Sequence, residues 1–282
     1  MNLDFTEWIG KTQTRFDQIT AAPVAGLSAA LDREDAYPQP GESLPPLWHW
    51  LYFLAHDRQS DLGVDGHAKL GRFLPPSPLP RRMWAGSRLQ FHHPLKVGDK
   101  VRRESQILDV TEKTGQSGPL MFVVVRHEVS NDQGVALTEE HDIVYRDHAK
   151  VDEPKSKGRP APGESTWNRS VQPDDVLLFR YSALTFNAHR IHYDRRYAAE
   201  TEGYPGLVVH GPLIATLMLD LLHRNRPAAT ISSFRFRAVR PLFDTGPFQV
   251  CGRGGDDQHS ILLWASNDLG ELAAEAEVAT AG

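Results

Sequence analysis

The 282-residue chain has a single cysteine, Cys251. One thiol excludes an internal disulfide and any zinc site built from several cysteines, and it fits a reducing compartment. A basic excess is also missing: 31 Lys and Arg stand against 36 Asp and Glu, a net charge of −5. A general nucleic-acid binder normally carries the opposite imbalance, so no nucleic-acid partner is expected. Long apolar runs are absent too. The longest, Pro212 to Leu222, is broken by Asp220 and is too short to span a bilayer. The first ten residues hold Asp4 and Glu7 and no apolar stretch, so no secretory signal is read there. The expected location is the cytoplasm, with no membrane partner, and a eukaryotic organelle stays open. What remains is an ordinary globular composition, 40% apolar and 24% charged, long enough for one large domain or two small ones.

The chain repeats itself. Phe91-His92-His93-Pro94-Leu95 followed by Gly98-Asp99 is echoed by Ala238-Val239-Arg240-Pro241-Leu242 followed by Asp244-Thr245-Gly246. Ser130-Asn131-Asp132-Gln133-Gly134 is echoed in the same order by Ser266-Asn267-Asp268-Leu269-Gly270, each joining two apolar runs as a hairpin turn does. Thr111 to Pro119 reads as a longer hairpin loop that accounts for the different spacing.

Period-two patterning predicts strands at Phe234 to Ala238 and Val135 to Tyr145, and the continuous apolar run Met121 to Val125 reads as a strand buried on both faces. Leu272 to Val278 is rich in Ala and Glu, yet its place after the second turn argues for a strand. Each half also has one strongly apolar segment expected to be a buried helix. These are Leu44 to His56, opened by Pro45 and Pro46, and Gly211 to His223, opened by Pro212. A helix and then antiparallel strands, twice over, predicts an α+β fold of two units. The expected boundaries are residues 1–150, a Lys- and Pro-rich linker at 151–165, and 166–282.

This arrangement resembles a double hot-dog fold, two fused units each wrapping an antiparallel sheet around a central helix. The run from Tyr181 through Asn187-Ala188-His189-Arg190-Ile191-His192, continuing to Tyr197-Ala198-Ala199, resembles the hydratase-2 motif of the MaoC-like enoyl-thioester hydratases and dehydratases. His210-Gly211 resembles the His-Gly step that opens their central helix. The stretch Pro80 to Gly86 and the motif strand are similar to the subgroup of itaconyl-CoA and mesaconyl-C4-CoA hydratases and type 2 hydroxyacyl-thioester dehydratases. That resemblance implies a cofactor-free hydro-lyase acting on an acyl-CoA substrate.

It also implies roles. His192 falls on the motif's catalytic His. Asn187 falls on its Asp, and an amide cannot titrate, so His192 must carry the proton while Asn187 orients the water. The Gly211 amide at the helix start is the expected oxyanion donor. Arg81, Arg82 and Arg190 are candidates for a substrate carboxylate or the CoA phosphates. Tyr181, at the start of the expected motif strand, His210 and Trp84 are candidates for the pocket. His189 and His192 alone are a thin basis for a metal site, and none is expected. Gly252 to Gly255 lacks a dinucleotide-binding spacing, and Cys251 reads as a buried strand residue.

The rivals are a 3-hydroxyacyl-thioester dehydratase of fatty-acid synthesis, a non-catalytic thioester-binding protein, and a thioesterase. A homodimer is a possible partner state, although the duplication can supply the usual edge pairing within one chain.

Overall fold

The computed structural model describes residues 5–115, 118–147, 158–255 and 259–281. Ten strands form one antiparallel sheet. They are β1 (Thr12–Gln18), β2 (Arg81–Phe91), β3 (Lys100–Gly115), β4 (Gly118–Asn131), β5 (Gly134–Arg146), β6 (Trp167–Val171), β7 (Ile231–Ala238), β8 (Phe248–Gly254), β9 (Ser260–Ser266) and β10 (Leu272–Thr280). Their order across the sheet is β1-β3-β4-β5-β2-β7-β10-β9-β8-β6. Read outward from the centre, the two halves have the same connectivity: the second strand of each half sits at the joint and the first at the far edge. The joint itself is β2 against β7, with Gly86 opposite Arg237. Gly86 is required there, since a Cβ would stand 2.3 Å from the Phe236 carbonyl oxygen.

Both Ser-Asn-Asp turns lie where expected, between β4 and β5 and between β9 and β10. The Ala/Glu-rich segment is strand β10: its alternate residues Ala274, Ala276 and Val278 are buried, and that period decides the matter over helix propensity. Cys251 is a free, buried residue of β8. Thr111 to Pro119 differs from expectation. Its described residues, 111–115 and 118–119, are the continuation of β3 and β4, paired down to Gly115 opposite Gly118. Residues 151–157 of the expected linker lie outside the described residues.

Three α-helices follow the repeat only in part. The first half has α1 (Ala21–Ala30); the second has α2 (Asp175–Leu184) and α3 (Gly211–Asn225). Helix α3 starts with Pro212 in its first turn, as its sequence predicts. From Leu213 to Leu222 every residue is buried. The matching segment of the first half, Leu44 to His56, is buried but not an α-helix. Only Trp48–Leu51 forms a short 3-10 turn, between Leu47 and Phe53, which both adopt left-handed backbone. A non-glycine residue in that region costs roughly 1 kcal/mol or more, and here two of them bracket the turn. Its side chains take up specific polar contacts: His49 Nε2 lies 3.2 Å from Glu139 Oε2, and Trp50 Nε1 donates to the same oxygen at 3.1 Å. The first unit's concave face thus has no long helix laid across it, while the second unit's face is filled by α3. No helix among the described residues is long and apolar enough to cross a membrane.

The halves are also pinned together inside. Asp220, in α3 and only 3% exposed, accepts hydrogen bonds from Arg33 Nη1 (3.1 Å), Arg169 Nη1 (2.7 Å) and Arg224 Nε (2.7 Å). Arg169 and Arg224 also donate to the Leu31 carbonyl just beyond α1, at 3.0 and 2.9 Å. Removing one partner of a buried ion pair strands the others, at a cost of about 3–5 kcal/mol. Asp220→Ala is therefore expected to lower the melting temperature by many degrees, while Glu104→Ala, at an exposed pair with Arg102, changes it little. Paired thermal melts check this.

Candidate active site

The motif run does not form a strand. Tyr181 and Ser182 lie in α2, whose start is capped by the Asp174 side chain accepting from the Leu177 amide at 2.8 Å. The helix ends at Phe186, which takes left-handed backbone and turns the chain into the Asn187–His192 loop. Tyr181 is accordingly a helical, 2% exposed residue, and its ring meets the His210 ring edge-on at 5.0 Å.

His192 is buried, and its Nδ1 lies 2.7 Å from the Val208 carbonyl oxygen. A carbonyl only accepts, so Nδ1 carries the proton and Nε2 keeps its lone pair. Burial pushes the His192 pKa down to about 4, against the pull of the Val208 bond, with His67 adding to the fall. The His192 ring stacks on the His210 ring at 3.7 Å. His210 Nε2 shares a 2.8 Å hydrogen bond with Ser182 Oγ, and its Nδ1 is buried without a partner.

His210 is the residue before α3, so Gly211 opens the helix, where the first amides have no intrahelical acceptor and the helix dipole favours negative charge. Trp84 packs against that tip, so a Cβ on Gly211 would lie 2.6 Å from its ring. Asn187 turns its Oδ1 to the His189 amide at 3.0 Å. Only the oxygen can accept from an N–H, so the carboxamide NH₂ group is the end left for a ligand.

Gly211, His192, Asn187, Trp84 and Arg82 all line one cavity of about 1760 Å³, and Tyr181 lines a neighbouring one shared with Asn187 and Arg82. Two expected ligand-binding arginines are not on either wall. Arg81 is buried, bonded through Nε to Glu202 Oε2 at 2.7 Å, and lies over the Tyr204 ring. Arg190 holds Asp194 Oδ2 at 2.6 Å, donates to the Val64 carbonyl at 3.0 Å and covers the Tyr197 ring. Both guanidiniums brace the loop that carries His192.

Several groups on the cavity escaped the sequence reading. Asp65 and His67 come from the loop before β2 and dock on the motif, with the Arg190 amide donating to the Asp65 carbonyl at 2.9 Å. His67 Nδ1 lies 2.7 Å from Asp65 Oδ2, and the His67 ring is 4.0 Å from that of His189. The ligand atoms of Asp65, His67 and His189 lie within 4.8 Å of one another, the arrangement among the described residues best able to grip a metal ion. The Asp65 contact and the ring stacking engage these side chains without one. Burial, together with the Arg82 charge, lowers the His67 pKa to about 4, and burial lowers those of His189 and His210 as well.

Across the first unit's concave face the strand register aligns Gln13, Ser105, His127 and Glu139. Glu139 is 3% exposed and receives Ser87 Oγ at 2.7 Å besides His49 and Trp50. Burial pushes its pKa up, but hydrogen bonds from His141 and His49 outweigh that and hold it well below the usual carboxylate range. The signal was present in the sequence: His127 and Glu139 occupy the inward parity of strands whose neighbours at the same parity, Val125, Val129 and Leu137, are core.

Five histidines with pKa values lowered by burial, His67, His127, His189, His192 and His210, fix a pH response. Between the ordinary histidine value near 6.5 and about 4, the unfolded chain binds more protons than the folded one, so stability is full above that window and is lost as pH falls through it. Thermal melts between pH 8 and pH 4.5 are expected to show a falling melting temperature below about pH 6.5, and His67→Gln should flatten that slope.

Comparison with known proteins places the chain. The model of hydroxyacyl-thioester dehydratase type 2 matches residues 47–244. Mesaconyl-C(4)-CoA hydratase of Chloroflexus aurantiacus is 47% identical over 282 residues, 99% of each chain. The mitochondrial hydroxyacyl-thioester dehydratase type 2 of Schizosaccharomyces pombe is 28% identical over 74% of this chain and 77% of its own. Among solved structures, HtdX of Mycobacterium tuberculosis superposes with a TM-score of 0.67 at 19% identity, covering 96% of this chain and all of its own. A second M. tuberculosis protein, described as having a double hotdog fold, gives 0.59 at 13% identity, covering 96% of this chain and 96% of its own. These two likenesses establish the double hot-dog fold. The chain belongs to the hydroxyacyl-thioester dehydratase type 2 family.

Proposed function

We propose that the protein is a hydro-lyase that hydrates an α,β-unsaturated C5 dicarboxylyl-CoA, mesaconyl-C4-CoA or itaconyl-CoA, to citramalyl-CoA. The observation that carries this reading is the turn from Val208 to Gly211. One end orients the lone pair of His192 Nε2, and the other presents the Gly211 amide at a helix tip on the same cavity. The 47% identity to mesaconyl-C(4)-CoA hydratase supports the acyl group.

In this mechanism His192 Nε2 takes a proton from water while the water oxygen bonds to Cβ. The π electrons move onto the thioester, and the Gly211 N–H stabilises the resulting enolate oxygen. The imidazolium then returns its proton to Cα. Its low pKa leaves the base unprotonated at neutral pH and makes the imidazolium a strong donor in the second half of the step. Asn187 donates from its NH₂ group to the water oxygen and holds it for attack. Arg82, the one expected arginine on the cavity wall, is available to the CoA. The atoms balance with water as sole co-reactant, so no cofactor is invoked.

Residues 1–150 are the unit that walls the acyl pocket, 151–165 the linker and 166–282 the unit carrying the motif. The β2–β7 joint already provides within one chain the edge pairing that single hot-dog units find in a dimer, so a homodimer would need another surface. A single buried thiol suits a reducing compartment such as the cytoplasm.

Dehydration of 3-hydroxyacyl thioesters is the second reading, favoured by the family model itself and by a cavity large enough for longer chains. A substrate series separates the two. Turnover concentrated on the C5 dicarboxylyl esters, followed by loss of enoyl-thioester absorbance, is the expected result, and a preference for long monocarboxylic chains would reverse the order. His192→Ala is expected to lower kcat by roughly 10²–10⁴-fold; unchanged turnover would remove His192 from the mechanism. Gly211→Ala should cost about 10²-fold or more by driving Trp84 and the helix tip apart.

A further inference from the structure

The first unit's end of the cavity contains a charge arrangement that the mechanism above does not use. Arg15 of β1 and Arg103 of β3 stand directly opposite each other in the register, and both line the cavity. Like charges at opposed positions on adjacent strands destabilise a sheet. The pair is nonetheless poorly compensated. Arg15 Nη1 donates to the Phe53 and Leu54 carbonyls at 3.2 Å each. Arg103 makes one long contact with the Phe53 carbonyl, 3.4 Å from Nη2, and lies over the Phe53 ring. Its Nε is buried with no partner.

Two carboxylates lie nearby, and each is held by other groups. Asp17 accepts from the Phe53 amide at 2.6 Å and the Gln18 amide at 2.7 Å. Glu139 is held by His49, Trp50 and Ser87. Among the described residues neither carboxylate forms an ion pair with Arg15 or Arg103. Burial and the Arg15 charge bring the Arg103 pKa down to about 10, which still leaves it cationic at neutral pH.

We infer that Arg15 and Arg103 form the subsite for the free carboxylate of a dicarboxylyl-CoA, the anion bridging the two guanidiniums. Two facing planar donors suit a small carboxylate, which has two oxygens and needs several N–H partners when taken out of water. The anion would also relieve the repulsion between the pair. The inference rests on the proposed C5 dicarboxylyl substrate and adds the residues that select it.

The test compares kcat/KM for itaconyl-CoA or mesaconyl-C4-CoA with that for crotonyl-CoA, which lacks the carboxylate. In Arg103→Gln the ratio is expected to fall roughly 10- to 100-fold, the size of a lost charge-assisted hydrogen bond, and in Arg15→Gln it should fall in the same direction. Arg102→Gln, at an exposed pair with Glu104, serves as the control and keeps the wild-type ratio. Should Arg103→Gln not fold, the methyl ester of the dicarboxylyl substrate applies the same test from the other side. Esterification should depress kcat/KM in the wild type, and the depression should shrink in Arg15→Gln. A wild-type enzyme that shows no preference for the free carboxylate overturns the C5 reading itself. A wild-type preference that survives both arginine substitutions, or both substrates declining in parallel, overturns only the arginine subsite.

Discussion

The site depends on one short turn. Between Val208 and Gly211 the chain offers a carbonyl that fixes the His192 ring, then an imidazole that stacks against it, then an amide at a helix tip. His192 and the Gly211 amide, the proposed base and oxyanion donor, are thereby tied to the same few backbone atoms. Their separation is set by covalent geometry and by the rigidity of α3. That helix, in turn, is held by its buried length and by Asp220, whose three arginines come from the turn after α1, from β6 and from α3 itself. A reaction that requires a proton acceptor and an anion stabiliser at fixed spacing is served by a scaffold that leaves that spacing little freedom.

The second constraint is a helix that does not form. Had Leu44 to His56 formed a full α-helix like α3, the first unit's sheet would be covered as the second unit's is. Instead, two left-handed residues confine the segment to a single 3-10 turn. Its His49 and Trp50 satisfy the buried Glu139. The exposed part of the concave face becomes cavity wall. A duplicated fold thus gains an asymmetric pocket: one unit brings Asn187, His192 and Gly211 to the cavity, and the other a wall that carries Arg15, His127 and Glu139.

Much of the architecture was legible in the order of residues. The paired Ser-Asn-Asp turns located two hairpins because their φ/ψ requirements are local. The alternation in β5 and β7 reported which face was buried, whereas the apolar run Met121 to Val125, read as buried on both faces, buries Met121, Val123 and Val125 and leaves Phe122 and Val124 only half-buried. Pro212 marked the start of α3 for the same local reason. The motif brought Asn187, His192 and Gly211 to one cavity, since their spacing is short and spanned by a single loop and turn. The same reading placed Tyr181 on a strand, where α2 stands, and placed Arg81 and Arg190 at the ligand, where Arg190 is instead taken up by Asp194 of its own loop and Arg81 by the distant Glu202. An arginine's partner depends on what packs beside it, and Glu202 lies 121 residues from Arg81.

Sequence alone determined the duplicated plan, the parity of the strands and the three residues of the motif, all properties of neighbours or of short periods. Tertiary structure decided everything that joins distant segments. It brought Asp65 and His67 against His189, set Arg15 opposite Arg103, and gathered His49 and Ser87 around Glu139. The physical reason is the same in each case. A buried polar side chain is satisfied by whichever partner the sheet register and loop packing deliver, and no local pattern encodes that delivery.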